Sequence, residues 1–194
     1  MKDFPPFSLK ERELFNSLGP ETVSFLRKRY NRITRWVVAD IVRRSAYRYP
    51  NKPALIFGDI TLTYSQLDEA INKVANALLA LGLKRYDRVA ILAHNTIHHV
   101  LTWLGTAKAG GVYLAINYLL RGKDIAYCIN HSEAKIFIVE DALYDLVSEA
   151  RDQMTGVQHW IWSNQGAGTP APEGWLDFPR PLGLQFSRSQ CHSG

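Results

Sequence analysis

Asp87-Arg-Val-Ala-Ile-Leu-Ala93 and Lys108-Ala-Gly-Gly-Val-Tyr-Leu-Ala-Ile-Asn117 are short apolar runs set off by charged or turn-forming residues. A strand that alternates polar and apolar residues buries one face; an unbroken apolar strand buries both, as in a parallel sheet covered by helices. Between the two runs, Asn95 is an N-cap residue type for a helix to about Ala109, lined by Val100, Leu101, Leu104 and Ala107. Lys108 suits the negative end of that helix, and Gly110-Gly111 releases it into strand Val112–Ile116. The rhythm continues through a helix over 123–131, with Ile125, Ala126 and Ile129 as its apolar side, and strand Lys135–Val139. Glu140-Asp141 is placed to cap a helix over 142–152, and Val157–Trp162 reads as a further strand. The fold class is therefore α/β, a mostly parallel sheet with helices on both faces. Right-handed crossovers put the loops after residues 93, 116, 139 and 162 along one edge, where ligands of open sheets bind.

Upstream, Thr63 and Gln66 stand at capping-box spacing. Behind them Leu67, Ala70, Ile71, Val74, Ala75, Leu78 and Leu81 recur at helical period, and Gly82 closes the helix. Ala54–Phe57 and Ile60–Thr63 flank Gly58-Asp59 as a small hairpin. A helix over 35–48 carries Val37, Val38, Ile41, Val42 and Ala46 as its apolar stripe and stops before Pro50; another lies near 20–30. Downstream of Trp175 the pattern dissolves, and Pro179–Gly194 is expected to be disordered.

The chain has 194 residues, 46% of them hydrophobic, enough for one good-sized core. Its net charge of +5 is uneven: residues 1–48 hold 11 Lys/Arg against 5 Asp/Glu, the remainder 12 against 13. The basic stretch of Arg27, Lys28, Arg29, Arg32, Arg35, Arg43, Arg44 and Arg48 reads first as a solvated face, and second as a contact for phosphates or an anionic membrane surface. With no aromatic platform at a known spacing, nucleic acid is not an expected partner. No run approaches a bilayer span and Met1–Ser8 has no secretory apolar core, so a cytoplasmic protein is expected. Cys128 and Cys191 are too few for a disulfide framework, and Cys128 reads as a structural thiol.

His94, His98 and His99 lack any metal-binding spacing, so no metal site is expected. His131 reads as a helix-end residue beside the last carbonyls. No serine sits in a G-x-S-x-G elbow. Gly105, Gly110 and Gly111 form no dinucleotide fingerprint, because the Gly110-Gly111 pair follows a helix and precedes a strand; packing is their expected duty. Trp103, Trp160, Trp162 and Trp175 are expected in core or helix–sheet contacts.

Four segments in register carry a resemblance: Leu62-Thr-Tyr-Ser-Gln-Leu67, Gly82-Leu-Lys-Arg-Tyr-Asp-Arg-Val-Ala-Ile91, Ala107-Lys-Ala-Gly-Gly-Val-Tyr-Leu-Ala-Ile-Asn117 and Ile125-Ala-Tyr-Cys-Ile-Asn-His-Ser-Glu-Ala-Lys-Ile136. Together they resemble the opening third of the adenylate-forming (AMP-binding) superfamily, particularly its fatty-acyl-CoA synthetases. The resemblance divides the chain into a basic extension over 1–33, a partial synthetase domain over 34–178 and a tail over 179–194. It implies activation of a carboxylic or fatty acid by Mg-ATP to an acyl-adenylate, then transfer to the thiol of coenzyme A. The family's Ser/Thr/Gly-rich loop ending in Lys-Gly, its aromatic-Gly-x-Thr-Glu segment, its ribose-binding Asp and its C-terminal-domain Lys match no residues here.

The expectation is thus a piece of an acyl-CoA synthetase, inactive and without cofactors alone, with ATP, Mg and coenzyme A belonging to the full-length enzyme. The alternative is a non-catalytic ligand-binding or protein-interaction module using the sheet edge or the basic patch. Self-association is expected if apolar faces stay uncovered. The resemblance places coenzyme A phosphates near Asn117, Tyr118 and Arg121, with Asp141 on the next loop, and no residue is assigned to catalysis.

Overall fold

The computed structural model describes residues 38–165 and 169–179, with single positions at 17, 19, 21 and 22. Glu21 and Thr22 are helical; the rest of the helix expected near 20–30, most of the basic stretch and the tail beyond Pro179 lie outside the described residues. The elements are α1 (Ala39–Arg48), β1 (Pro53–Phe57), β2 (Ile60–Thr63), α2 (Tyr64–Ala80), β3 (Arg88–Leu92), α3 (Ile97–Ala109), β4 (Val112–Ile116), α4 (Gly122–Ser132), β5 (Ala134–Glu140), α5 (Asp145–Ser148), β6 (His159–Ser163) and β7 (Leu176–Asp177).

Strands β3 to β7 form one sheet in the order β4-β3-β5-β6-β7, every neighbouring pair parallel. Alternate residues serve opposite faces. Val89, Ile91, Ile136, Ile138 and Ile161 pack with α2 and α3; Ala90, Leu92, Phe137, Val139 and Trp162 pack with α4. Both sets are buried, which is why the strands read as unbroken apolar runs. Each fully buried side chain of this size contributes about 1.5–3 kcal/mol. β1 and β2 form the expected antiparallel hairpin, turning at Gly58 with φ +55°.

The Thr63–Gln66 capping box is present: Gln66 N–H donates to Thr63 Oγ1 (3.3 Å) and Thr63 N–H to Gln66 Oε1 (2.9 Å). Helix α2 ends with Gly82 at φ +84°, and α3 with Gly110 at the same angle. The two helices meet at Gly105, where an added Cβ would lie 2.7 Å from Val74 Cγ1. Lys108 does more than face its helix end, for its Nζ lies 2.7 Å from Asp68 Oδ1 on α2.

Several expectations are corrected. Thr96, not Asn95, caps α3: its hydroxyl accepts from His99 N–H at 3.3 Å, while the neighbouring Ile97 is buried. The helix expected over 142–152 is instead a 3-10 turn at Asp141–Leu143, the four-residue α5 and a second 3-10 turn at Arg151–Gln153. Asp141 Oδ1 accepts from the adjacent Ala142 N–H, and Glu140 is engaged across the sheet with His94. On α1, Val42 is buried but Val38 and Ile41 are exposed. Val38 lies at the helix entrance, and Ile41 is about 100° around the axis from Val42. Trp162 and Trp175 pack into the core as expected, whereas Trp103 is exposed on α3. The pattern does not dissolve at Trp175, because Leu176 and Asp177 add β7 to the sheet and Phe178 N–H donates to Trp162 O.

Candidate functional site at the carboxyl edge of the sheet

The chain crosses from β3 outward to β4, then returns to the other side of β3 for β5, so the direction of winding reverses between β3 and β5. The loops leaving those strands diverge there and open the crevice in which doubly wound sheets bind ligands. His94 leaves β3 and Glu140 ends β5 on either side of the reversal.

Glu140 Oε2 accepts two hydrogen bonds from His94, one from its backbone N–H (2.7 Å) and one from ring Nδ1 (3.0 Å). The Glu140 side chain is 5% exposed and that of His94 46%, so a buried carboxylate orients a half-open imidazole. Tyr118 lies against the ring, centroid to centroid 4.7 Å. His99 Nδ1 is 3.2 Å from His94 O, and the Tyr113 hydroxyl is bonded to His99 Nε2. A carbonyl only accepts, so His99 donates from Nδ1, and in the neutral ring its Nε2 accepts the hydrogen bond of the Tyr113 hydroxyl. Burial pushes Tyr113 up to about 12, leaving that phenol protonated at neutral pH.

His98, one turn further on, has the opposite environment. It is buried, stacked 4.1 Å from Phe178, with Nδ1 2.9 Å from Ser163 Oγ at the end of β6. Gln165 Nε2 donates to the same hydroxyl oxygen at 3.1 Å. Burial pulls His98 down to about 3, so its ring is neutral where it meets the Ser163 hydroxyl. Among the described residues no three His, Cys, Asp or Glu side chains gather into a group able to hold a metal ion.

Of the residues named for coenzyme A, only Tyr118 joins the His94–Glu140 pair directly. Asn117 shapes its own turn, Oδ1 accepting from Leu119 N–H at 3.0 Å. Arg121 is the exposed N-cap of α4, whose carbonyl receives Asp124 and Ile125 N–H groups, and its guanidinium forms no ion pair among the described residues. Asp141 is buried beside Glu140 and bonds Ala142 N–H at 2.9 Å. His131 stacks on Tyr127 at 5.5 Å, while Glu133 takes the left-handed C-cap with φ +52°. Sequence reading missed the pairing of His94 with Glu140; the available signal was that each ends an apolar strand run at the same edge.

A groove of about 300 Å³ runs between α2 and strands β5 to β7, lined by Val74, Leu78, Leu81, Ile138, Ile161 and Phe178, with Asp177 the polar residue at its margin. No helix among the described residues is long and apolar enough to cross a membrane.

Fold and edge together define an open doubly wound α/β unit with its polar chemistry gathered where the strands end. The chain belongs to the AMP-binding enzyme family, whose profile matches residues 42–176. It is 33% identical over 145 residues to long-chain fatty acid transport protein 2 of Rattus norvegicus, covering 74% of this chain and 23% of that protein. Crotonobetaine/carnitine–CoA ligase of Salmonella heidelberg is 32% identical over 151 residues, covering 75% of this chain and 29% of that ligase. The crystal structure of the anthranilate CoA ligase AuaEII in complex with anthranoyl-AMP superposes with a TM-score of 0.69 at 27% identity, over 80% of this chain and 30% of that one. The relationship is thus to adenylate-forming acid:CoA ligases broadly, and the chain spans under a third of the length of these relatives.

Proposed function

We propose that the chain works within a fatty-acyl-CoA synthetase, which activates a fatty acid with Mg-ATP to an acyl-adenylate and passes the acyl group to coenzyme A. The observation that carries the fatty-acid reading is the 33% identity to long-chain fatty acid transport protein 2. The apolar groove beside α2 supports it, for its lining suits an alkyl chain. The described residues offer no metal-holding group, and no phosphate-binding loop is found in the sequence, so no step through Mg or ATP is assigned to these side chains. The 194 residues alone then form no acyl-adenylate.

The test has two arms. Purified chain with Mg-ATP, palmitate and coenzyme A should give no acyl-CoA, and turnover above a matched blank overturns that part. Calorimetric titration with palmitoyl-, octanoyl- and benzoyl-coenzyme A should show affinity rising with alkyl length and falling in Leu78→Trp, which fills the groove. Equal affinity for all three sinks the fatty-acyl subclass. The proposal extends to a peripheral contact with anionic membranes through α1, where Arg43 and Arg48 are exposed near Val38, Ile41 and Tyr49. Cosedimentation with phosphatidylserine vesicles that is lost at high salt supports that contact, and salt-independent or absent binding removes it. Self-association belongs to the same reading, since β4 ends the sheet with Val112 and Ala115 exposed.

A further inference from the structure

Among the described residues the sheet has two edges, and they differ in kind. At one, β7 contributes only Leu176 and Asp177. At the other, β4 contributes Val112–Ile116 in unbroken register with β3. Soluble proteins shield such edges with charge, proline or a bulge, because free N–H and C=O groups invite another strand. None of these shields β4: residues 111–117 include no charge and no proline, and no shift interrupts the pairing. The parallel ladder fixes which groups are free. Val112 N–H donates to Asp87 O at 2.8 Å, so residues 112, 114 and 116 bond toward β3. Tyr113 and Ala115 therefore present their N–H and C=O groups outward. Val112 and Ala115 are exposed beside them. Trp103, 45% exposed, flanks the same edge. It lies one helical turn past His99, whose ring meets Tyr113, and away from Gly105, which meets α2.

We propose that β4 pairs antiparallel with β4 of a second copy of this chain, about a twofold axis at Leu114, so that two sheets become one. Tyr113 then stands opposite the partner's Ala115, and Ala115 opposite the partner's Tyr113. Each pair exchanges both of its outward hydrogen bonds, as the close pairs of an antiparallel ladder do. Charge selects the occupant. The chain carries a net +5, and a surface such as α1, with Arg43 and Arg48 exposed, repels its own copy. Self-pairing of β7 would bring two Asp177 carboxylates close together in a two-residue seam. Self-pairing of β4 brings only uncharged side chains together, and Trp103 lies beside the seam to cover it. The inference deepens the self-association in the reading above by naming its surface and its symmetry. Antiparallel pairing also points the carboxyl edges of the two sheets in opposite directions. The crevice beside His94 and Glu140 stays open in both copies, so pairing and ligand binding are separate properties.

Sedimentation velocity and amide hydrogen exchange of the full chain, each over a wide range of protein concentration, test the pairing. Monomer should give way to dimer with no larger species. The Tyr113 and Ala115 amides should exchange quickly in dilute chain and slow about tenfold or more as dimer forms, while Leu114, bonded to β3 in both states, changes little. Ala115→Pro removes an outward N–H and no bond to β3, a change that edge strands tolerate. It should abolish the dimer with the circular dichroism spectrum unchanged, and Trp103→Ala should weaken the dimer severalfold. A chain that stays monomeric, a dimer retained in Ala115→Pro, or exchange at 113 and 115 that ignores concentration overturns the pairing and leaves the ligase reading standing. A ladder of larger species overturns the twofold closure. Coenzyme A titrated in parallel should bind monomer and dimer alike; a dimer with the expected exchange pattern that binds no coenzyme A supports the pairing and counts against the ligase reading. If Ala115→Pro is misfolded, the wild-type exchange pattern decides the matter.

Discussion

The two ends of the same strands are built from different chemistry. At the amino edge, Asp87 pairs with Lys135 at 2.8 Å and Arg88 with Glu133 at 3.1 Å, while Asp87 also accepts Lys84 N–H. Opposite charges meet there directly and complete one another. At the carboxyl edge, a buried glutamate orients a histidine that stays half open, and a neutral histidine is buried against a serine. One end ties strands together; the other holds polar groups in set directions. Charge density alone would have ranked the amino edge first, and the geometry reverses that ranking.

Four measurements would break or sharpen the contrast. Both edges hang on β5, whose Phe137 is fully buried, so Phe137→Ala should cost about 3–5 kcal/mol in urea unfolding and loosen both ends together. A smaller loss would show that the edges hold the strand without its core. Next, acid should act on the carboxyl edge earlier than on the amino edge. Burial holds His98 at about 3 against an ordinary 6.5, so as pH falls the unfolded chain takes up this proton first. Stability from this group is complete above pH 6.5 and declines below it toward about 3, with a limiting slope of about 1.4 kcal/mol per pH unit. His98→Leu should flatten that slope, and an unchanged slope would exclude His98 as its source.

Third, the Lys135 ammonium, followed by Lys84 N–H, holds the Asp87 carboxyl below its ordinary 3.8. Its contribution is therefore present above that value and is lost only as pH drops below it. Asp87→Asn should cost about 1 kcal/mol or less, shrink with added salt and leave coenzyme A binding unchanged. An effect on ligand binding would merge the two edges functionally. Last, Arg88→Ala should change stability by less than about 0.5 kcal/mol, as its partner Glu133 is 75% exposed; a larger loss would promote this pair to a structural role.

Much of this fold is written locally. The unbroken run Val89–Leu92 and the Thr63–Gln66 spacing each announce an element without reference to the rest of the chain. The departures are long-range. Glu140 could have capped a helix after β5, but it accepts from His94, 46 positions away, and the segment behind it breaks into short turns. Asn95 and Thr96 are both capping types, and burial of Ile97 accompanies the choice of the second. Leu176-Asp177 is a strand because β6 lies beside it, which a two-residue pattern cannot declare. The candidate site suffers most from this limit, since its two principal residues become neighbours only through a strand crossing.

Gly105 has a consequence on the far side of α2. Its missing methyl group lets that helix settle with Val74 where a Cβ would stand, and Val74 also lines the apolar groove. Position 105 therefore acts as a spacer shim for a cavity it does not touch. Alanine there would push α2 outward and alter the groove's calibre without changing one residue of its wall, so the tolerance of the groove for ligands of different girth is adjustable from behind.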